Sequence, residues 1–97
     1  IVEDNISHIF SLLHEYKMKV SMLQNSAISF SVCIENNYNN LDRLVLHLKA
    51  KYKVSTHKAV KLYTIRHYTS QAIEAMETDK TVLLKQITPE IVQIITT

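Results

Sequence analysis

Glycine is absent from this chain of 97 residues. At an average usage of about 7%, a chain of this length would hold roughly seven glycines. Loops that cradle phosphate by close backbone approach depend on glycine, so the sequence excludes a Walker loop and a Rossmann fingerprint. Nucleotide phosphates would have to be bound by another part of the protein.

The chain also has little net charge, a single cysteine and no long apolar run. The formal net charge is only +2 and the basic residues are scattered, which argues against a nucleic-acid partner. The single cysteine, Cys33, forms no internal disulfide, so no oxidising compartment is implied. No apolar run approaches the roughly 18 residues of a membrane helix, and the start has no signal-peptide pattern. We expect a cytoplasmic protein without a membrane partner.

The chemistry-bearing side chains form no recognisable catalytic or metal motif. The five histidines lack the HxH or HxxxH spacing of metal ligands, and Cys33 has no partner arrangement that indicates a nucleophile. The most basic stretch, from Lys49 to Lys58, is typical of a solvated helix end. We expect no catalytic residue, no metal and no cofactor in these residues.

Periodicity predicts a mixture of helices and strands. Asp4 or Asn5 would cap the first helix and Asn39 or Asn40 the second, with Lys49 and Lys51 near the second helix's negative end. Thr69 or Ser70 would cap the third helix, and Pro89 separates the last two strands. The predicted helices are 5–16, 41–52 and a short one through Met76; the predicted strands are 20–24, 28–34, 53–56, 60–67, 82–87 and 91–95.

The clearest alternation lies between Ile28 and Ile34. The apolar residues Ile28, Phe30, Val32 and Ile34 would face a core, while Ser29, Ser31 and Cys33 would face away. Asn25 and Ser26 are turn formers, because their side chains hydrogen-bond nearby backbone. The sequence therefore predicts a hairpin of two strands around that turn.

A sequence similarity between two segments of the chain suggests an internal duplication. Residues Lys19–Ser26 (KVSMLQNS) resemble Thr81–Thr88 (TVLLKQIT), and each segment follows a helix and precedes another strand. The order of elements then matches two incomplete βαββαβ units. We predict an α+β, ferredoxin-like fold, with an antiparallel sheet and helices on one face. The first unit, residues 1–57, would lack its opening strand; a second, truncated unit, residues 58–97, would share its sheet or core.

The stretch from Ile9 to Val32 resembles the first ACT unit of aspartate kinases. That family shows a helix of the type VFxILxxxxI, then a strand beginning S/P-V/I-D, then T-S-E-V-S-V. The segment Asn25-Ser26-Ala27-Ile28-Ser29-Phe30-Ser31 is the most specific part, and the likeness continues through 54–56 and 60–65, where a second ACT unit would begin. The resemblance implies ferredoxin-like ACT units in the C-terminal regulatory region of an aspartokinase.

The resemblance also implies partners and a site. ACT units pair side by side, usually across a homodimer, and bind an amino acid such as lysine or threonine. A parent catalytic domain, using ATP and Mg, would lie N-terminal to Ile1. The effector would bind between the first helix and the following strand, where free helix N–H groups suit its carboxylate. The matching positions are Asp4, Asn5, Ile6, Lys19, Val20, Ser21, Asn25 and Ser26, with Ala27 beside them.

Some positions depart from the family pattern. Ser21 stands where the family has Asp, Ala27 where it has Glu, and Asp4 where Gly often precedes the helix. With two carboxylates missing and Lys19 nearby, a cationic amino acid should bind poorly. The alternatives are a free-standing amino-acid-binding module, a dimerisation module without an effector, and a ferredoxin-like nucleic-acid-binding domain. The absence of a glycine-containing RNA-binding motif argues against the last.

Overall fold

The computed structural model describes residues 3–35 and 40–97. The chain divides into two compact units, Ile1–Ser55 and Thr56–Thr97. Within the described residues, the first unit has a two-stranded sheet and the second a three-stranded sheet. The elements are α1 (Glu3–Glu15), β1 (Lys19–Asn25), β2 (Phe30–Glu35), α2 (Leu41–Lys49), β3 (Lys61–Arg66), α3 (Ser70–Glu77), β4 (Val82–Ile87) and β5 (Ile91–Thr96).

The core of the first unit lies between its two helices and the hairpin. Its buried members are Ile9, Leu12, Leu13, Met18 and Leu44. The spacing of the α1 members puts them on one helical face, which explains why this polar-rich segment is a helix. Burial of each such side chain contributes about 1.5–3 kcal/mol to folding.

Polar contacts fix the direction of α2 relative to α1. Tyr16 Oη lies 3.2 Å from His47 Nδ1, and Asn40 Nδ2 donates to the carbonyl oxygen of Tyr16 at 3.1 Å. His8 Nδ1 lies 3.0 Å from the hydroxyl of Tyr52, three residues beyond α2. The end of α1 therefore lies beside the start of α2, and His8 in the first half of α1 lies beside the residues that follow α2, so the two helices run antiparallel.

The predicted hairpin is confirmed, with one correction. β1 and β2 pair antiparallel, and Phe30, Val32 and Ile34 pack against the helix core as the alternation indicated. Ile28 was expected on the same face, but it lies before β2 and is 93% exposed. Its position in the turn overrides the period-2 pattern, because alternation applies only where the backbone is extended.

The second unit has the element order β–α–β–β. Its strands lie in the order β3–β5–β4, and both pairs are antiparallel. This is the arrangement of the first three strands of a βαββαβ unit. The central strand β5 holds the buried core residues Val92, Ile94, Ile95 and Thr96.

The position of α3 over this sheet follows from side-chain contacts. Glu77 of α3 forms a salt bridge at 3.0 Å with Lys85 of β4. Lys85 is the ladder partner of Ile94, which is in turn the partner of Tyr63. These residues therefore share the face of the sheet on which α3 lies.

The N-cap of α3 is Thr69, one of the two predicted residues. Its hydroxyl accepts a hydrogen bond from the Ala72 N–H at 3.1 Å.

The two hairpins are equivalent in detail, which supports the predicted duplication. Each has a bulge at the same place, between Val20 and Met22 and between Val82 and Leu84. Each is preceded by a residue with positive φ, Lys17 (59°) or Asp79 (60°), three positions before the first valine of the pair. The two segments share only two identical residues, Val20/Val82 and Gln24/Gln86, but their backbones have the same irregularities.

The turns of the hairpins share the same hydrogen bonds. The Ser29 N–H donates to Ser26 Oγ at 3.1 Å, and the Ile91 N–H donates to Thr88 Oγ1 at 3.0 Å. The Ser26 N–H donates to the Ser29 carbonyl at 2.9 Å, and the Thr88 N–H to the Ile91 carbonyl at 2.8 Å. Ser26 is therefore the turn residue predicted, whereas Asn25 is the last residue of β1.

The predicted helix ends need correction. α1 begins at Glu3, so Asp4 and Asn5 lie inside its first turn and neither is the N-cap. An acidic residue stabilises the first turn as well as the cap, so the pattern does not separate the two positions. Asn40 occupies the cap position of α2 but makes no capping bond with its side chain, and Asn39 lies outside the described residues. α2 ends at Lys49, before Lys51.

The predicted short strand 53–56 is wrong. Residues 53–58 have no regular secondary structure. An extended segment becomes a strand only when a neighbour completes its ladder of hydrogen bonds, and local residue preference does not report that neighbour. The predicted domain boundary and the sharing of a sheet or core stay predictions.

Candidate functional site

The helix-start group consists of Asp4, Asn5 and Ile6. All three lie in the first turns of α1; Asp4 is exposed and the other two are half-buried. The first N–H groups of a helix have no partner within it, and the helix dipole is positive there. This end of α1 has the electrostatic character that suits a carboxylate ligand.

The strand-start group consists of Lys19, Val20 and Ser21, and all three are exposed. It begins after only three residues that follow the end of α1, so it lies at the opposite end of this helix from the helix-start group. A helix of 13 residues is about 20 Å long at 1.5 Å per residue. The structure therefore does not bring these two predicted groups together within one chain.

The hairpin-end group, Asn25 and Ser26, lies nearer to the helix start. Asn25 is the ladder partner of Phe30, and the Phe30 ring makes an edge contact with the Phe10 ring at 5.6 Å between centroids. Phe10 belongs to α1, so this end of the hairpin is beside that helix. The Ser26 hydroxyl already takes part in the turn, which gives it a structural role.

The charges around the strand start are mixed. Lys19 is the ladder partner of Glu35, so an ammonium and a carboxylate flank the beginning of β1. Ser21 lies at the bulge, where the ladder shifts by one residue. From Lys19 to Ile34 the hairpin contains no acidic residue; the nearest carboxylate in the sequence is Glu35, directly after it.

The cysteine on β2 has the properties of an unreactive thiol. Cys33 is half-buried, and burial, assisted by the negative charge of Glu35, raises the pKa of its thiol above the ordinary 9.0. A raised pKa lowers the fraction of the nucleophilic thiolate at neutral pH.

A set of exposed apolar side chains lies next to these groups and was not predicted from the sequence. Phe10, Val20 and Leu23 are 40%, 36% and 36% exposed. The residues opposite them, Val32 for Leu23 and Ile34 for Val20, pack against the helix core, so Val20 and Leu23 are on the helix side of the hairpin. Phe10 falls at helical spacing with Ile9 and Leu13, which indicates the apolar face of the helix, but this spacing gives no sign that its ring stays accessible.

The second unit does not repeat the polar positions of the first. By the equivalence of the hairpins, Ser21 corresponds to Leu83 and Asn25 corresponds to Ile87. The turn hydroxyl is kept, as Ser26 and Thr88, because it closes the turn. The candidate site is therefore confined to the first unit.

The helix-free faces of both sheets bear on the nucleic-acid alternative. From the registers, these faces carry Lys19, Met22, Gln24, Ser31, Cys33 and Glu35 in the first unit and Leu62, Thr64, Arg66, Leu84, Gln86, Ile91, Gln93 and Ile95 in the second; Met22 and Ile95 are buried. RNA-recognition sheets stack bases on aromatic side chains of that face. None of these ladder positions is aromatic, so neither sheet offers such a platform.

Two further properties concern the described ranges only. In residues 3–35 and 40–97, no group of three or more His, Cys, Asp or Glu side chains is placed to hold a metal ion. Over the same ranges, no helix has the length and apolar character needed to span a membrane.

Comparison with known proteins gives a structural match without a sequence match. No family model and no curated protein matches the sequence. Among solved structures, the chain is similar to Escherichia coli aspartokinase III in complex with lysine and aspartate, in the T-state. The TM-score is 0.72 at 11% identity, and the match covers 97% of this chain and 24% of that chain.

This likeness identifies the fold. Sheet order, antiparallel pairing and the βαββ order of the second unit agree with it, and the match extends over nearly the whole chain. The chain therefore has the α+β, ferredoxin-like ACT fold.

Proposed function

We propose that this chain is the amino-acid-sensing, allosteric segment of an aspartate kinase. The observation that supports the proposal is its structural likeness, over 97% of its length, to an aspartokinase that holds lysine. The parent enzyme would transfer phosphate from ATP, with Mg, to the side-chain carboxylate of aspartate, on the route to lysine, threonine and methionine. Catalysis would take place in a domain N-terminal to Ile1, and this segment would not itself be an enzyme.

The geometry of the site favours a homodimer. The helix-start and strand-start groups are separated by the length of α1 in one chain, about 20 Å, which exceeds the reach of a free amino acid. Two copies placed side by side would combine the helix-start group of one with the strand-start group of its partner. An effector that binds only this paired arrangement shifts the population toward it, which is the basis of allosteric control.

A dimerisation module without an effector is the second candidate. Within the described residues, β1 and β2 are both edge strands, as are β3 and β4. An edge strand has backbone N–H and C=O groups that can pair with another chain. Self-association needs only these edges, whereas sensing also needs the candidate site.

Thermal unfolding with added amino acids separates the two candidates. A ligand that binds only the folded state raises its stability in proportion to the logarithm of its concentration. We expect at least one of the twenty amino acids, at about 100 times its Kd, to raise Tm by several degrees. If none of them raises Tm, the sensing role is wrong and the dimerisation module remains.

A further inference from the structure

The accessible apolar side chains of the first unit bear on the kind of amino acid that binds. We name Phe10, Val20 and Leu23 the apolar strip. Val20 and Leu23 share the helix side of β1, and the Phe10 ring lies against Phe30, the ladder partner of Asn25. Each is more than a third exposed, although its neighbours on β2 pack against the core. The strip extends from the strand-start group toward the hairpin-end group.

Charged side chains lie beside Val20, at one end of this strip, and at the start of α1. Asp4 is at the start of α1, and Lys17, Lys19 and Glu35 are near the start of β1, with Glu15 at the end of α1. The hairpin from Lys19 to Ile34 has no carboxylate that would pair with a cationic side chain. A buried ammonium without a partner is strongly disfavoured, whereas an apolar side chain gains from leaving water.

We propose that the effector is an amino acid with an uncharged, apolar side chain, of the leucine, methionine or phenylalanine type. Its ammonium and carboxylate bind the polar groups at the helix start of one copy, and its side chain covers the apolar strip of the partner copy. This inference rests on the proposed sensing function. It differs from lysine, the ligand of the structurally similar aspartokinase.

Calorimetric titration of the 97-residue chain with leucine, methionine, phenylalanine and lysine tests the inference. We expect at least one of the three apolar amino acids to bind at least tenfold more tightly than lysine. Lysine binding as tightly as the best of them would overturn the apolar selectivity and leave the sensing function intact. Binding by none of the amino acids would instead overturn the sensing function, and the selectivity with it.

Substitutions test whether the apolar strip is the surface involved. Phe10→Ala should weaken binding of the apolar amino acid about tenfold, and Val20→Thr, which keeps the β-branched shape, about threefold. Leu46→Ala is the matched control, since Leu46 is also an exposed apolar residue, at 74%, but lies on α2. Thermal melts establish whether each variant is folded. If Phe10→Ala does not fold, the affinity of Val20→Thr alone decides the question. Equal affinities for Val20→Thr, Leu46→Ala and the parent chain would exclude the strip.

Discussion

At the scale of single residues, the lack of glycine has a measurable cost. In residues 3–35 and 40–97, four residues adopt positive φ, and none is glycine: Lys17, Ala59, His67 and Asp79. A side chain in the left-handed region costs roughly 1–2 kcal/mol, because Cβ approaches the following carbonyl oxygen. Ala59, at φ 57°, has this cost without a polar side chain that would offset it.

Ala59→Gly should therefore stabilise the chain by about 1 kcal/mol. Urea unfolding of both proteins measures the difference in the free energy of unfolding. Ala50→Gly is the control, because Ala50 has the right-handed φ of −64° at the end of α2, and there glycine should cost about 0.5–1 kcal/mol. A loss of stability in both variants would show that left-handed strain at Ala59 is absent.

The role of a single residue could be predicted from the sequence where an interaction with its sequence neighbours determines that role. Thr69 was predictable as a cap because its own hydroxyl accepts from the Ala72 N–H three positions on. Asp4 was not, because an acidic residue fits either the cap or the first turn. The exposure of Phe10 could not be predicted from the sequence either, because it depends on how α1 packs against the hairpin.

At the scale of elements, the two hairpins should respond alike to the loss of their turn hydroxyls. Ser26 Oγ and Thr88 Oγ1 accept from N–H groups at corresponding positions of the turn. We expect Ser26→Ala and Thr88→Ala each to lower the free energy of unfolding by about 1 kcal/mol, the usual net value of one hydrogen bond.

Urea denaturation of the two variants checks this equivalence. Ser11→Ala, which removes an exposed hydroxyl from α1, is the control and should change stability by less than about 0.5 kcal/mol. If only one turn variant loses stability, the two turns do not share the role that their geometry indicates.

Sequence patterns predicted most elements but not their irregularities. The bounds of β4 were predicted as 82–87 and are Val82–Ile87, because turn formers flank an apolar run. The bulges were not predictable, because a bulge puts Val20 and Leu23, which are three residues apart, on one face, and a strict period-2 pattern does not indicate this. The wrong strand 53–56 shows the same limit, as a strand requires a neighbour that the local sequence does not specify.

At the scale of the whole molecule, the candidate site was only partly predictable. The family resemblance supplied the residues, and the fold confirmed the ACT arrangement. The separation of Asp4 from Lys19 already follows from the predicted helix 5–16, whereas the position of the hairpin end beside α1 was visible only in the structure. Under the proposed function, an effector that contacts both the helix-start and the strand-start group would therefore need two copies of the chain.

Under the proposed function, amino-acid binding and the association of two copies are coupled. Sedimentation equilibrium of the chain, with and without the amino acid that raises Tm most, measures this coupling directly. We expect a homodimer whose dissociation constant falls about tenfold or more when the amino acid is present, within the usual range of allosteric coupling. A dissociation constant that the bound amino acid leaves unchanged would contradict the account.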